Sequence, residues 1–204
     1  MPFPVRFLVL TTGALATSCH VLAAGVSVNV TDAQGRPAVD AVVMLEPAAG
    51  KVPVRPMPQV DVSQARRTFT PRVTAVTVGT PVNFPNFDTV RHHVFSISPA
   101  KTFELKLYAG VPNKPIVFDK AGLVILGCNI HDTMVAWILV SDTPWYGVAG
   151  EDGKVRIADV PAGSYRLRVW HPALAANAEA PVVAVNVGST ELQLASRLAV
   201  STTP

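Results

Sequence analysis

Proline and glycine set the terms of the fold. Eighteen of one and 13 of the other are spread through 204 residues, and short runs rich in β-branched residues lie between them. Proline breaks helices and the interior of sheets, and glycine marks tight turns, so a chain punctuated this often can only build short strands. VTAVTVG and TPVNFPN are divided at Gly79-Thr80, and HHVFSIS follows. FELKLY, PIVFDK, LVILGC and MVAWILV come next, then GKVRIADV, SYRLRVW and PVVAVNV beyond the break at Asp142-Thr143-Pro144. No stretch keeps a long 3.6-residue period. The expected class is all-β with little helix.

The first residues obey another rule. Arg6, the apolar stretch FLVLTTGALAT and the small-residue exit Val21-Leu22-Ala23-Ala24 read as a secretory signal over residues 1–24. The apolar stretch is short for a membrane span, which takes roughly 20 apolar residues, so no transmembrane helix is expected in the mature chain. Ala16-Thr17-Ser18-Cys19 also has the shape of a lipobox, which would make Cys19 a lipid-bearing N-terminus. Either route exports the chain, and the expected location is the periplasm. With Cys19 in the leader, Cys128 is the one thiol of the mature protein. A lone thiol in an oxidising compartment is exposed to chemistry unless something uses it.

Formal net charge is +3, and losing Arg6 leaves 16 basic against 14 acidic side chains. That balance, without basic clusters interleaved with aromatics, excludes nucleic acid as a partner.

The densest chemistry is GCNIHDTM, which spaces Cys128, His131 and Met134 as C-x-x-H-x-x-M. A thiolate and two imidazoles in a trigonal plane, with a weak axial thioether, make a blue copper site. A short loop between neighbouring strands can deliver three of these groups. The fourth must come from a strand elsewhere, and His92 or His93 in FPNFDTVRHHVFS can supply it. Neighbouring strand residues face opposite ways, so only one of the pair can reach the metal. Alternation through His93, Phe95 and Ile97 favours His93 if that face is the core. Singly, Cys128 or Met134 would read as core. A structural zinc takes four Cys or His ligands, so a thioether in the set points to copper.

These two segments resemble the plastocyanin, amicyanin and pseudoazurin cupredoxins. In that family an aromatic-x-Asn precedes the first copper His by six residues, as Phe84-Pro85-Asn86 precedes His92 here, and a Gly leads through a strand to Cys, as Gly122 leads to Cys128. The resemblance implies one type-1 copper held by His92, Cys128, His131 and Met134. Asn86 and His93 support it from behind, His93 standing where the family has an Asn that steadies the Cys loop. It also implies outer-sphere electron transfer with His131 as the exit, no enzymatic activity, and a redox partner such as a cytochrome or oxidoreductase. Arg91 and Asp132 are candidate partner-surface residues. The chain departs from the family at Gly127, Asn129-Ile130 and Asp132, which bears on the potential and the partner surface. The alternative function is a periplasmic carrier delivering copper to an oxidase.

VSVNVTDAQGRPAVDAVVML reads as an opening hairpin, and GVAGEDGKVRIADVPAGSYRLRVWHP resembles a prealbumin-like, carboxypeptidase-regulatory-like β-sandwich. The expected organisation is a signal at 1–24, the opening hairpin of that sandwich (or the first cupredoxin strand) at 25–47, a Greek-key cupredoxin sandwich at 48–143, and the small sandwich at 144–204. In this order the chain is similar to a bacterial family labelled "methylamine utilization protein", which implies a place near amine oxidation. Trp170-His171-Pro172 reads as a plain strand end.

Overall fold

The computed structural model describes residues 23–175 and 180–202. The expected secretory leader, with Cys19, therefore lies outside the described residues apart from Ala23 and Ala24. The described residues contain no helix, and none long and apolar enough to cross a membrane. The class is all-β.

Two sandwiches share one chain. The first is closed by the chain's two ends. β1 (Ala23–Thr31) pairs antiparallel with β14 (Lys154–Pro161) and parallel with β17 (Leu192–Arg197). The facing sheet runs β13 (Tyr146–Val148), β2 (Val42–Pro47), β15 (Gly163–Trp170), β16 (Val182–Val187). Alternation sends Val26, Val28 and Val30 of β1 inward against Leu45, Ile157, Leu167 and Val169.

The segment expected as an opening hairpin turns a corner between these sheets. Asp32 is buried and accepts the N–H groups of Gln34 and Arg36 as well as the Arg36 guanidinium, which closes the turn. The chain bridges back only at Thr31 and Pro37. Asp40, at φ 66°, then redirects it, and β2 pairs with β13 and β15. Four buried residues in a row, Val42 to Leu45, show why: β2 is covered on both faces.

Residues between β2 and β13 form the second sandwich. Its large sheet runs β6 (Val73–Thr77), β12 (Ala136–Ser141), β11 (Gly122–Cys128), β8 (His92–Ser98), β9 (Lys101–Tyr108). A smaller sheet of β10 (Ile116–Phe118), β7 (Thr80–Asn83) and β3 (Val60–Asp61) lies across the core, which holds Val82, Phe84 and Phe118 with Val94, Val124, Leu126 and Ile138. The hairpin of β4 (Ser63–Ala65) and β5 (Thr68–Thr70) buries Phe69 in the same core.

The sandwiches meet along an apolar seam of Val42, Met44 and Trp170 against Val73 and Leu139. Thr143 donates across the joint to Leu45 O at 2.7 Å. At one end of this assembly β8, β11 and the loop before β12 converge, and the sequence motif lies there.

Candidate metal centre

Cys128 is the last residue of β11 and pairs with Val94 of the neighbouring β8, one strand turn from His92. The inward face of β8 carries His92, Val94, Ser96 and Ser98, all buried. His93 and Phe95 look outward, and Ile97 on that face is 82% exposed. Apolar character is therefore misleading in this strand: its more hydrophobic side faces away from the core. The ladder with β9 shifts register between His92 and Val94, a bulge at the strand's end that re-aims the imidazole.

After Cys128 the chain makes a short loop. Met134 N–H donates to His131 O at 2.9 Å, which folds His131 back over the strand ends and leaves it half-buried. His92, Cys128 and His131 thereby present ring nitrogen and sulfur atoms that all lie within 4.8 Å of one another. Cys128 Sγ stands 3.9 Å from His92 Nδ1 and 3.9 Å from His131 Nδ1. The two rings meet edge-on, with centroids 5.0 Å apart.

This donor set fits a soft metal ion. Metal–nitrogen and metal–sulfur bonds of about 2.0–2.3 Å, spread at trigonal angles, separate the two donors by about 3.8 Å. Met134 is buried at 1% exposure in the same apolar cluster as Cys128. It follows His131 by three residues in the same loop.

The loop before His92 is tied down by Asn86, which is buried at 3% exposure. Its side chain donates to Val90 O and Tyr108 O, both at 2.9 Å, and accepts Asp88 N–H at 2.9 Å. Asp88 in turn lies against His92: Oδ2 is 2.7 Å from Nε2. Burial opposes ionisation of Asp88, but hydrogen bonds from Arg67 N–H, His92 and Arg66 N–H outweigh it and hold its carboxyl below the ordinary range. A carboxylate can only accept, so His92 Nε2 carries the hydrogen, and on a neutral ring the Nδ1 lone pair faces Cys128. Behind this loop Tyr108 donates to Phe84 O at 2.6 Å, beside Gln64 Nε2 at 2.9 Å from the same oxygen. Burial pushes the Tyr108 phenol up to about 12, despite the Gln64 hydrogen bond, so it stays a neutral donor.

His93 has a separate task. Its Nδ1 lies 3.0 Å from Asn129 Nδ2 in the Cys loop, and its Nε2 is 2.9 Å from Glu104 Oε1. Arg91 and Asp132 are both exposed. His171 is remote, its Nε2 donating to Val39 O and its Nδ1 accepting Ala173 N–H, each at 2.9 Å.

No family model and no curated protein matches the chain. Among solved structures it is similar to a copper-containing nitrite reductase (NirK) from Thermus scotoductus SA-01, at 28% identity and TM-score 0.38, over 46% of this chain and 24% of that one. The chain thus spans about a quarter of the reductase's length. It is similar to a purple cupredoxin from Nitrosopumilus maritimus at 24% identity and TM-score 0.35, over 41% of this chain and 98% of that one. An amicyanin mutant in its reduced state overlaps at 22% identity and TM-score 0.34, over 40% of this chain and 81% of that one.

Asp88, Gln64 and Tyr108 are the residues at this centre that pattern alone does not single out. Asp88 left one trace: it precedes His92 by four residues, within reach across a tight loop.

Proposed function

We propose that the chain is an exported, mononuclear type-1 copper protein that carries single electrons between redox partners. The observation that supports it is the pair of 3.9 Å separations from Cys128 Sγ to the Nδ1 atoms of His92 and His131. Thiolate and imidazole suit copper, and a thioether in place of a fourth strong donor argues against zinc. When bound, the metal supplies a one-electron couple that exchanges without proton transfer.

The protein's own residues give that couple its properties. His92 is wholly buried and Cys128 nearly so, which keeps water from the inner side of the site. The paired strands β8 and β11 hold both donors in fixed positions, so little rearrangement accompanies a change of charge. His131 is the half-exposed donor and the proposed point of electron entry and exit, with Arg91 and Asp132 beside that edge as proposed partner contacts. We propose Met134 as the axial thioether. The donors fit electron carriage: among the described residues His171 is held in the other sandwich and His93 lies against Asn129. The link to periplasmic amine oxidation, through a cytochrome or oxidoreductase partner, belongs to the same proposal and rests on the sequence resemblance to the methylamine utilization family.

The test is copper loading of the purified full chain followed by stopped-flow electron exchange with a small redox reagent. Retained copper with rapid, reversible one-electron exchange supports the proposal. Copper that a mild chelator strips quickly would instead make the chain a metal carrier.

A further inference from the structure

We infer that Asp88 is a positioning residue for His92, and that the hairpin of β4 and β5 exists at this end of the sandwich to hold it. The inference rests on the copper site proposed above and concerns a part of it that neither the loop motif nor the strands supply.

Four observations carry it. The carboxylate of Asp88 touches His92 Nε2 at 2.7 Å, on the side of the ring away from Cys128. That carboxylate is itself gripped by the turn of the hairpin: Arg66 N–H donates to Oδ1 at 2.5 Å and Arg67 N–H to Oδ2 at 2.9 Å. Both N–H groups are aimed by an uncommon backbone, since Arg66 and Arg67 have φ of 53° and 57°, a left-handed pair without glycine. Side chains at positions with positive φ stand in the less favoured region for L-residues, and such conformations persist where surrounding contacts require them. The hairpin also docks by its own strand: Gln64 N–H donates to Pro85 O and Phe87 N–H to Gln64 O, each at 2.8 Å. The arrangement is a chain of contacts from hairpin turn to carboxylate to imidazole to the thiol.

Its chemistry follows from the acceptor. A hydrogen bond from the far ring nitrogen to a carboxylate fixes the tautomer and raises the donor strength of the near nitrogen. The near nitrogen here is Nδ1, the one that faces Cys128. A more basic imidazole favours the higher oxidation state of a bound metal, so Asp88 lowers the potential. It also spares binding the cost of selecting one ring orientation.

Asp88→Asn and Asp88→Ala separate the two effects. Asparagine keeps one oxygen for the ring N–H, loses the charge and turns its NH2 toward Arg66 N–H; alanine loses every acceptor. In copper-free wild-type protein, long-range proton–nitrogen correlation should show His92 in the Nε2–H tautomer. Asp88→Asn should keep that tautomer, whereas Asp88→Ala should mix it. In copper-loaded protein, Asp88→Asn should shift the preference between oxidation states about tenfold toward the reduced form, which is about 59 mV upward. Asp88→Ala should weaken copper affinity about tenfold or more. If alanine prevents folding, the potential of the asparagine variant decides. Unchanged tautomer in the alanine variant, or an unchanged potential in the asparagine variant, overturns the inference. A wild-type chain that takes up no copper, yet shows the Asp88-dependent tautomer, would sink the copper proposal and leave the positioning role standing.

Discussion

The ring of Phe95 lies directly over Gly127, so that a Cβ at position 127 would come within 2.9 Å of Phe95 Cζ. The two residues face each other across the ladder of β8 and β11, one pair along from Cys128 and Val94. An aromatic ring laid over a cross-strand glycine covers backbone that lacks a side chain of its own. This accounts for glycine immediately before the thiol. Gly127→Val must push Phe95 aside, and with it the edge contact between Phe95 and His93. The expected cost is about 1–3 kcal/mol in a denaturant melt, with Phe95→Ala restoring much of it in the double variant.

Asn86 anchors the loop that leads to His92 through three hydrogen bonds, and it is buried. Asn86→Ala strands two carbonyls and one N–H. The expected loss is about 3 kcal/mol of stability, together with weaker copper binding because the loop no longer presents His92. Titration of copper into the variant checks the second part.

Met134→Gln replaces the proposed thioether with a harder oxygen donor, which favours the oxidised state. The potential should fall, and protein-film voltammetry reads it directly. An unchanged potential would remove Met134 from the ligand set while leaving the other three donors in place.

His171 gives the fold a pH dependence of its own. Burial lowers its pKa from the ordinary 6.5, against the hydrogen bond to Val39 and the charge of Asp40, with Arg72 adding to the depression and Asp32 opposing it. Its two ring nitrogens are committed as one donor and one acceptor, a pattern only the neutral ring satisfies. The unfolded chain therefore binds the proton more readily than the folded one. Stability is full above about pH 6.5, declines as pH falls below it, and levels off once the folded ring also protonates. Urea melts of wild type and His171→Gln across this range should converge at low pH.

Much of this architecture is written locally. Strand alternation and the Gly-Thr and Asp-Thr-Pro breaks place most strands, because a period of two with turn residues at the ends depends on neighbours alone. Cys128 and His131 were legible because one loop delivers them to a common point. The pairing of His92 with them was harder: the apolar residues of β8 sit at 93, 95 and 97, the outward set, so hydrophobicity points to the wrong face. Spacing from Asn86 was the better guide. The β4–β5 hairpin was invisible, since DVSQARRTFT offers little alternation and gains its place by backbone contacts to residues 83–87. The same holds for β17, whose pairing with β1 joins opposite ends of the chain. Asp88 depends on that hairpin, so its role could not be read from the sequence.

The most direct measurement is the visible absorption spectrum of the copper-loaded full chain, beside that of Cys128→Ser. A thiolate held with two imidazoles around Cu(II) gives an intense charge-transfer band and a blue colour in proportion to bound copper. The expected result is that band in the wild type and its loss in the variant. A wild-type protein that binds copper with only weak absorption, or a Cys128→Ser variant of unchanged spectrum, would contradict the assignment.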